Sequence, residues 1–334
     1  MKLKPIGEQV IVLTGATSGI GLTTARMAAK QGARLVLNAR NVDALHLLCG
    51  ELADNGTEVV GVAGDVASEN DMLKLATEAL SRFGNFDTWI NNAGVSIYGK
   101  LETVSDEDSR RLFETNFWGT VNGSLIAARN LKINGGAIIN VGSTLSDRAI
   151  PIQGMYCASK HAVKGFTDAL RMELEAEKAP ISVTLIKPSA INTPYKVHAK
   201  NYLGVAPENP PPVYAPETVA EAILYCCSHP TRDVFVGGGG KALSWLGNVA
   251  PRTTDLVMES TMIDMQKTGR PELQDWEGLH SSKDARLRED GNYDGHIAQS
   301  SLYTKSSLHP VVVSAAVALG VGGLVYALSS KAKP

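Results

Sequence analysis

The sequence predicts an α/β protein with a doubly wound, mostly parallel sheet. Short runs of Val, Ile and Leu alternate with stretches of helical length from residue 9 to about 187. This alternation is typical of βαβ units, in which helices cover both faces of a parallel sheet. Most of the runs are continuously apolar, as expected for strands that are buried on both faces.

The order of the elements follows from these runs. The predicted strands cover residues 9–14, 33–38, 57–62, 86–91, 137–142, 181–187 and 233–236, and the main predicted helices cover residues 19–31, 68–82, 107–132 and 155–177. Seven prolines within 188–216 exclude regular structure and predict a long surface loop that enters a helix near Pro216. Long ordered loops are often lids, so we expect this one to cover a site.

Composition excludes several classes of protein. A chain of 334 residues with 44% hydrophobic residues can bury a sizeable core. The net charge of -2 and the absence of a basic stripe exclude nucleic acid as the expected partner. The four cysteines match neither a zinc site nor a disulfide framework, so we expect no metal and a reducing compartment. No secretory leader is predicted at the N-terminus.

The C-terminal part predicts an unusual ending. Residues 251–265 predict a helix that packs on the domain, covers the mouth of a substrate site or lies near a membrane. Residues 268–308 are polar and predict a loosely packed linker. The nineteen uncharged residues 310–328 are long enough for a transmembrane anchor, which predicts a membrane protein with a cytosolic catalytic domain. The alternatives are a buried helix and a cytoplasmic protein.

A glycine-rich turn, Thr14 to Gly21, joins the first strand to the first helix. Glycines let the backbone approach a pyrophosphate closely, and the amides at the start of a helix face the anion. We therefore predict that this turn binds a dinucleotide. The candidate contacts are Gly15, Thr17, Ser18, Gly19, Ile20 and Gly21.

The end of the second strand predicts the type of cofactor. An acidic residue there would bind the ribose 2′-hydroxyl of NAD, whereas this chain has Asn38, Ala39 and Arg40. Because a guanidinium suits a 2′-phosphate, we predict NADP rather than NAD. The alternative is that Arg40 is a solvated residue that opens the next helix.

Ser143, Tyr156 and Lys160 form a candidate catalytic group. Tyr156 and Lys160 are four residues apart in a predicted helix and therefore share one face. A cation beside a phenol stabilises the phenolate, so we expect the pKa of Tyr156 to be lowered, as a general acid or base requires. Ser143 directly follows a predicted strand, where its hydroxyl can hold a substrate oxygen. Asn116 lies in a predicted helix, where a polar residue is usually solvated or bonded locally.

The chain resembles the short-chain dehydrogenase/reductase family in the order and spacing of five motifs: Thr14-Gly15-x-x-x-Gly19-x-Gly21, Asn91-Asn92-Ala93-Gly94, Asn116, Ser143 and Tyr156-x-x-x-Lys160. The resemblance covers roughly residues 7 to 240. It implies a single Rossmann-type domain with strand order 3-2-1-4-5-6-7, and hydride transfer between NADP(H) and a carbonyl or secondary alcohol. It also implies a homo-oligomer, a homodimer formed through the helices predicted over 107–132 and 155–177.

The resemblance further implies a role for each matching residue. Tyr156 would exchange the proton, Lys160 would bind the nicotinamide ribose and lower the tyrosine pKa, Ser143 would hold the substrate oxygen, and Asn116 would keep a relay water. The remaining cofactor contacts would be Asp65, Val66, Asn92, Ala93, Gly94 and Thr193. The chain departs from the family in having Pro188-Ser189, where Pro-Gly is usual.

Four segments follow from these predictions. They are an NADP-binding catalytic domain (1–240), a helical extension (241–267), a polar linker (268–308) and a hydrophobic tail (309–334). We expect a somewhat apolar small-molecule substrate, an expectation that rests only on the predicted anchor. The alternative function is a non-catalytic sensor or scaffold that binds NADP. The intact catalytic group argues against it, because a pure binder needs no acid/base pair.

Overall fold

A seven-stranded parallel sheet forms the centre of the molecule. The computed structural model describes residues 1–272, 277–282 and 285–309. The strands are β1 (Val10–Thr14), β2 (Arg34–Ala39), β3 (Val59–Ala63), β4 (Thr88–Asn91), β5 (Gly136–Val141), β6 (Ile181–Pro188) and β7 (Asp233–Val236). They pair in parallel, in the order 3-2-1-4-5-6-7 that was predicted. The detail that differs is a set of two-residue strands outside this sheet, which change the numbering when all strands are counted.

Helices cover both faces of the sheet. They are α1 (Gly19–Lys30), α2 (Val42–Asp54), α3 (Glu69–Phe83), α4 (Asp106–Phe113), α5 (Gly119–Asn134), α6 (Gly154–Ala176), α7 (Tyr195–His198), α8 (Pro216–Ser228), α9 (Gly238–Val249), α10 (Pro251–Met265) and α11 (Leu302–Leu308). The helix predicted over 107–132 is interrupted, because a π-helical turn, Glu114–Trp118, joins α4 to α5. The helix predicted near Pro216 is α8, with the proline in its first turn.

Local side chains fix where the helices begin and end. The side chain of Asn41 accepts a hydrogen bond from the backbone of Ala44 and caps α2. Ser68 and Ser105 cap α3 and α4 in the same way. These contacts satisfy amides that have no partner inside the helix. Gly84 ends α3 with a φ of 77°, a left-handed conformation that glycine adopts without steric cost.

Two apolar clusters hold the helices on the sheet. Successive side chains of a strand point to opposite faces. Ile11 and Leu13 of β1 therefore join the cluster formed with α1, α2 and α8. Val10 and Val12 join the cluster formed with α3, α5 and α6. The sheet is thus buried on both faces, as the apolar strands predicted, and only the edges that carry loops remain open to a ligand.

The described part of segment 268–308 contacts the domain. Leu279 is fully buried. The two-residue strand Ile297–Ala298 pairs with Val213–Tyr214. In α11, Thr304 donates to the carbonyl of Phe235 and accepts from the amide of Gly237. The chain therefore returns to β7 after leaving it, whereas the four domain boundaries given above stay predictions.

The predicted membrane location is corrected by the structure. Among the described residues, no helix is both long enough and apolar enough to span a bilayer. The one described helix with more than eighteen residues is α6, which carries charged side chains along its length, including Lys164, Asp168 and Arg171. The predicted anchor, residues 310–328, lies outside the described residues.

The four cysteines are free thiols with different surroundings. Cys157, Cys226 and Cys227 are buried, and Cys49 is half-buried. Burial raises the pKa of every one of these thiols, to about 11 for Cys157 and about 12 for Cys226. A buried thiol resists losing its proton because the charged thiolate is poorly solvated there. The four are packing residues, as their lack of a metal or disulfide pattern suggested.

Candidate active site

The glycine-rich turn is tied to the end of the neighbouring strand β4. Thr14 Oγ1 accepts from the amides of Asn92 and Ala93 at 3.0 and 3.1 Å. The side chain of Asn92 donates back to the carbonyls of Thr14 and Gly15. A Cβ on Gly21 would lie 2.0 Å from the Gly15 carbonyl oxygen, so the turn cannot close around a larger residue. The turn is held open as a cradle at the carboxyl ends of β1 and β4.

A groove runs from this turn along the edge of the sheet. All the predicted cofactor contacts other than Tyr156 and Lys160 line it: Gly15, Thr17, Ser18, Gly19, Ile20, Gly21, Arg40, Asp65, Val66, Asn92, Ala93, Gly94 and Thr193. Parallel α/β sheets bind ligands at this edge, where the start of a helix presents its amides to an anion. The shape and the residues of the groove fit a dinucleotide.

Arg40 lies at the adenosine end of the groove and is not simply solvated. Its guanidinium donates to the carbonyls of Gly278 and Leu279. Burial lowers the pKa of Arg40. Arg111 forms an ion pair with Asp65 beside it. The alternative of a solvated residue therefore does not match its surroundings.

Ser143, Tyr156 and Lys160 meet at the carboxyl end of β5. Ser143 caps a short 3₁₀ turn that follows the strand. Tyr156 and Lys160 lie in the first two turns of α6, and the Lys160 ammonium is 5.8 Å from the centre of the Tyr156 ring. Lys160 Nζ also donates to the carbonyl of Val141, at 2.8 Å. All three side chains line one cavity beside the groove.

Burial dominates the electrostatics of this group. It raises the pKa of Tyr156 to about 12, although hydrogen bonds from the side chains of Tyr195 and Ser143 act in the opposite direction. It lowers the pKa of Lys160 to about 8. We expected the lysine to lower the tyrosine pKa, and the structure differs because desolvation penalises the phenolate more than these contacts stabilise it. Tyr156 is therefore a protonated phenol at neutral pH.

Asn116 lies inside the π-helical turn between α4 and α5. Its side chain accepts from the amide of Val95 at 2.8 Å, and donates to the Val95 carbonyl and to Ser159 Oγ. It therefore connects the loop after β4 to the helix that carries Tyr156. Single π turns inside α-helices often mark functional sites. The continuous helical pattern of the sequence gave no sign of this one.

Tyr195 is a residue of the site that the sequence analysis missed. Its ring packs edge-on against Tyr156, with 5.6 Å between ring centres. It lines both the groove and the catalytic cavity. The only signal in the sequence was its position two residues after Thr193, in the loop expected to act as a lid.

The catalytic cavity has a volume of about 360 Å³. Its apolar lining includes Tyr98, Leu145, Ile150, Ile191, Pro210, Pro211, Pro212, Leu243, Met258 and Met262. The predicted loop 188–216 supplies one wall, and helices α9 and α10 supply another. Of the three alternatives for residues 251–265, the structure favours a helix that packs over the mouth of the substrate site.

The C-terminal strap, residues 277–282 and 285–291, crosses the groove. Ser281, Ser282 and Arg286 line its adenosine end. Farther along, the Arg288 carbonyl accepts from the amide of Gly19, and the amide of Gly291 donates to the Asn192 carbonyl. The strap therefore contacts both the glycine-rich turn and the loop at the opposite end. These contacts join residues far apart in the chain, and no local pattern predicted them.

The chain is similar to known proteins over most of its length. The family model described as short chain dehydrogenase matches residues 9–202. The chain is 46% identical over 321 residues to the uncharacterized oxidoreductase YxnA of Bacillus subtilis (strain 168), an alignment that covers 95% of this chain and 90% of that protein.

Two solved structures share the fold. A short chain dehydrogenase/reductase from Burkholderia phymatum in complex with NAD has a TM-score of 0.63 and 25% identity, and the match covers 82% of this chain and 100% of that one. An alcohol dehydrogenase from Thermococcus sibiricus complexed with 5-hydroxy-NADP has a TM-score of 0.60 and 28% identity, and the match covers 68% of this chain and 95% of that one.

Proposed function

Because this chain belongs to the short-chain dehydrogenase/reductase family, we propose that it is an NADP(H)-dependent oxidoreductase that interconverts a carbonyl compound and a secondary alcohol. The observation that carries the proposal is the meeting of Ser143, Tyr156 and Lys160 in one cavity beside a groove that fits a dinucleotide. A bound nicotinamide would supply or accept the hydride.

The residues of the chain handle the proton. The Tyr156 phenol, with a pKa raised to about 12 by burial, carries the proton that a carbonyl oxygen needs as it becomes an alcohol. The Ser143 hydroxyl lies beside it and orients the same oxygen. Lys160 places a positive charge near the phenol, which limits the cost of the phenolate that forms. Asn116 holds α6 against the loop after β4 and acts by positioning.

Arg40 supports NADP as the cofactor. It lines the groove at the end of β2, where no carboxylate follows the strand. The side chain of Asn38, which precedes it, donates to the carbonyls of Val62 and Gly64 and so stays with the sheet. The two solved structures carry NAD in one case and 5-hydroxy-NADP in the other, so the argument rests on Arg40 alone.

The lining of the catalytic cavity supports an apolar substrate. Lys160 is the one charged side chain among the described residues that line it. Cavities of roughly 300–1,000 Å³ with apolar walls and a few polar groups are typical of small-molecule sites. The polar groups at the reacting end and the apolar wall beyond them favour a carbonyl attached to an apolar group.

Exposed apolar side chains support a homodimer. Trp118, Leu125 and Met172 are exposed on the faces of α5, α6 and the π turn between α4 and α5. These helices match those that the family resemblance assigns to the dimer interface. A second copy of the chain would cover these side chains.

The replacement Tyr156→Phe tests the activity. We expect NADPH-dependent reduction of carbonyl compounds by the wild type and a loss of at least about 100-fold in kcat in the variant, because the proton donor is removed. NADPH binding should be kept, which a fluorescence titration would measure. Tyr225→Phe is the matched control, since Tyr225 stacks on His229 outside the site. Equal absence of turnover in wild type and variant would favour the sensor.

A further inference from the structure

Helices α9 and α10 form a hairpin that lies outside the family match. The match ends at residue 202, whereas the hairpin covers residues 238–265. Its inner side faces the catalytic cavity through Leu243, Met258 and Met262. The wall opposite the cofactor groove therefore comes from a part of the chain that the shared motifs do not describe.

Met258 is the most deeply placed of these side chains. It is 6% exposed and packs in one cluster with Ile150 and Cys157. Cys157 directly follows Tyr156, so this cluster begins at the catalytic helix and ends on the hairpin. Leu243 and Met262 pack against the same cluster while remaining half-buried.

The hairpin is anchored at both ends of its inner side. Gln266, which follows α10 and is fully buried, accepts from Gln153 at 2.6 Å and donates to the Pro151 carbonyl. Arg148 forms an ion pair with Asp255 near the start of α10. Because these contacts join the hairpin to the loop that precedes α6, its distance from the catalytic group is fixed by buried bonds.

The polar groups of the cavity away from the reacting centre already have partners. Gln153 is bonded to Gln266, and Asn209 donates to the carbonyl of Ile191. A polar group on the far part of a substrate would lose its water without gaining a partner, which costs free energy. An apolar chain meets no such penalty and gains from its burial.

We propose that the hairpin selects carbonyl compounds in which the reacting carbon carries an extended apolar chain, with Met258 and Met262 contacting the far part of that chain. This proposal rests on the proposed reductase function. It assigns specificity to the methionines and leaves the chemistry with Ser143, Tyr156 and Lys160. Methionine suits this task because its flexible side chain fills irregular apolar space.

A series of methyl ketones from butanone to dodecanone, with NADPH, tests the proposal. We expect kcat/KM of the wild type to rise roughly threefold for each added methylene until the cavity is filled. Met258→Trp should lower kcat/KM for dodecanone at least about tenfold and leave that for butanone unchanged, because the indole fills the space of the chain. Met265→Trp is the matched control, since Met265 lies on the same helix but is exposed outside the cavity.

Met262→Phe gives a second, milder reduction of the same space. It replaces Met258→Trp if thermal unfolding shows that the larger side chain prevents folding. The proposal is overturned if the wild type reduces butanone as well as dodecanone, if the cavity variants lower both rates equally, or if Met265→Trp has the same effect as they do.

A binding measurement separates this proposal from the proposed function. Dodecanol, bound without turnover, should raise the melting temperature of the wild type and of Met265→Trp, but not of Met258→Trp. If no ketone of any length is reduced while this pattern holds, the reductase function fails and the apolar site stands. If ketones are reduced and the pattern is absent, the hairpin has no part in selection.

Discussion

At the scale of single residues, the catalytic group shows how burial competes with neighbouring charge. The four-residue spacing of Tyr156 and Lys160 predicted their common helix face and, through it, a lowered tyrosine pKa. The face is as predicted, but burial shifts both groups toward their neutral forms. Spacing along a helix indicates which side chains are neighbours, whereas desolvation depends on chain segments that pack around them from elsewhere.

Lys160→Met in the cofactor-free protein tests the lysine shift. The pKa of Lys160 is lowered from 10.5 to about 8, so between these values the unfolded chain binds more protons than the folded one. The wild type therefore gains stability as the pH rises through this window, and the variant does not. We expect the free energy of unfolding of the wild type, relative to the variant, to rise by roughly 1–3 kcal/mol from about pH 8 to about pH 10. Urea unfolding measures this, and a constant difference would contradict the assignment.

Arg40→Gln tests the cofactor preference. Loss of the guanidinium removes the group proposed to pair with a 2′-phosphate, so the ratio of kcat/KM for NADPH to that for NADH should fall about tenfold to a hundredfold. Arg34→Gln is the control, because Arg34 begins the same strand and does not line the groove. An unchanged ratio would leave NADP without a recognised determinant.

Among the residues of the site, those in local motifs were predictable and those brought in by distant segments were not. The glycine-rich turn and the catalytic group are set by spacings within one or two elements. Tyr195, Gln266 and the strap approach the site from other parts of the chain, and no periodicity marks them. A single sequence contains little information about such long-range contacts, because their register is set by packing.

At the scale of the elements, strands were predicted better than helix interruptions. Each strand of the sheet was predicted within two residues of its observed ends, since a run buried on both faces has a clear composition. The helix predicted over 107–132 has a uniform pattern, and the π turn Glu114–Trp118 inside it is stabilised by tertiary contacts of Asn116. Composition does not reveal such a turn.

The strap gives a prediction for one ion pair. Arg26 pairs with Glu51 of α2 and with Glu289 of the strap. Glu289→Gln should speed amide hydrogen exchange over residues 285–298 roughly threefold to tenfold, because a partly exposed ion pair contributes up to about 1 kcal/mol. Glu51→Gln removes a carboxylate from the same arginine but leaves the strap attached, so exchange there should not change. Equal effects of the two variants would show that Arg26 does not hold the strap.

At the scale of the whole molecule, the shared fold and the added parts divide the work. The sheet and its first six helices build the groove and the catalytic group. The parts beyond the family match, namely the hairpin and the strap, cover the cavity and the groove. The family motifs predicted the fold and the general chemistry, and the parts that cover the ligands were predicted only as a helix and a linker.

Leu125→Glu tests the proposed homodimer. A carboxylate placed on the exposed apolar face of α5 would be buried without a partner in the interface, so the variant should be monomeric where the wild type is dimeric. Light scattering after size-exclusion chromatography measures the mass. Leu73→Glu places the same charge on an exposed position of α3 and should leave the dimer intact. A monomeric wild type would remove the proposal.

The buried cysteines provide an internal clock for the opening of the molecule. An alkylating reagent reacts with thiolates that solvent can reach, so Cys226 and Cys227 become labelled when α8 separates from the sheet. Cys157, covered by Met258, becomes labelled as soon as the hairpin lifts. The order in which the three thiols react, followed by mass spectrometry, distinguishes a breathing motion at the substrate end from the loss of the whole fold.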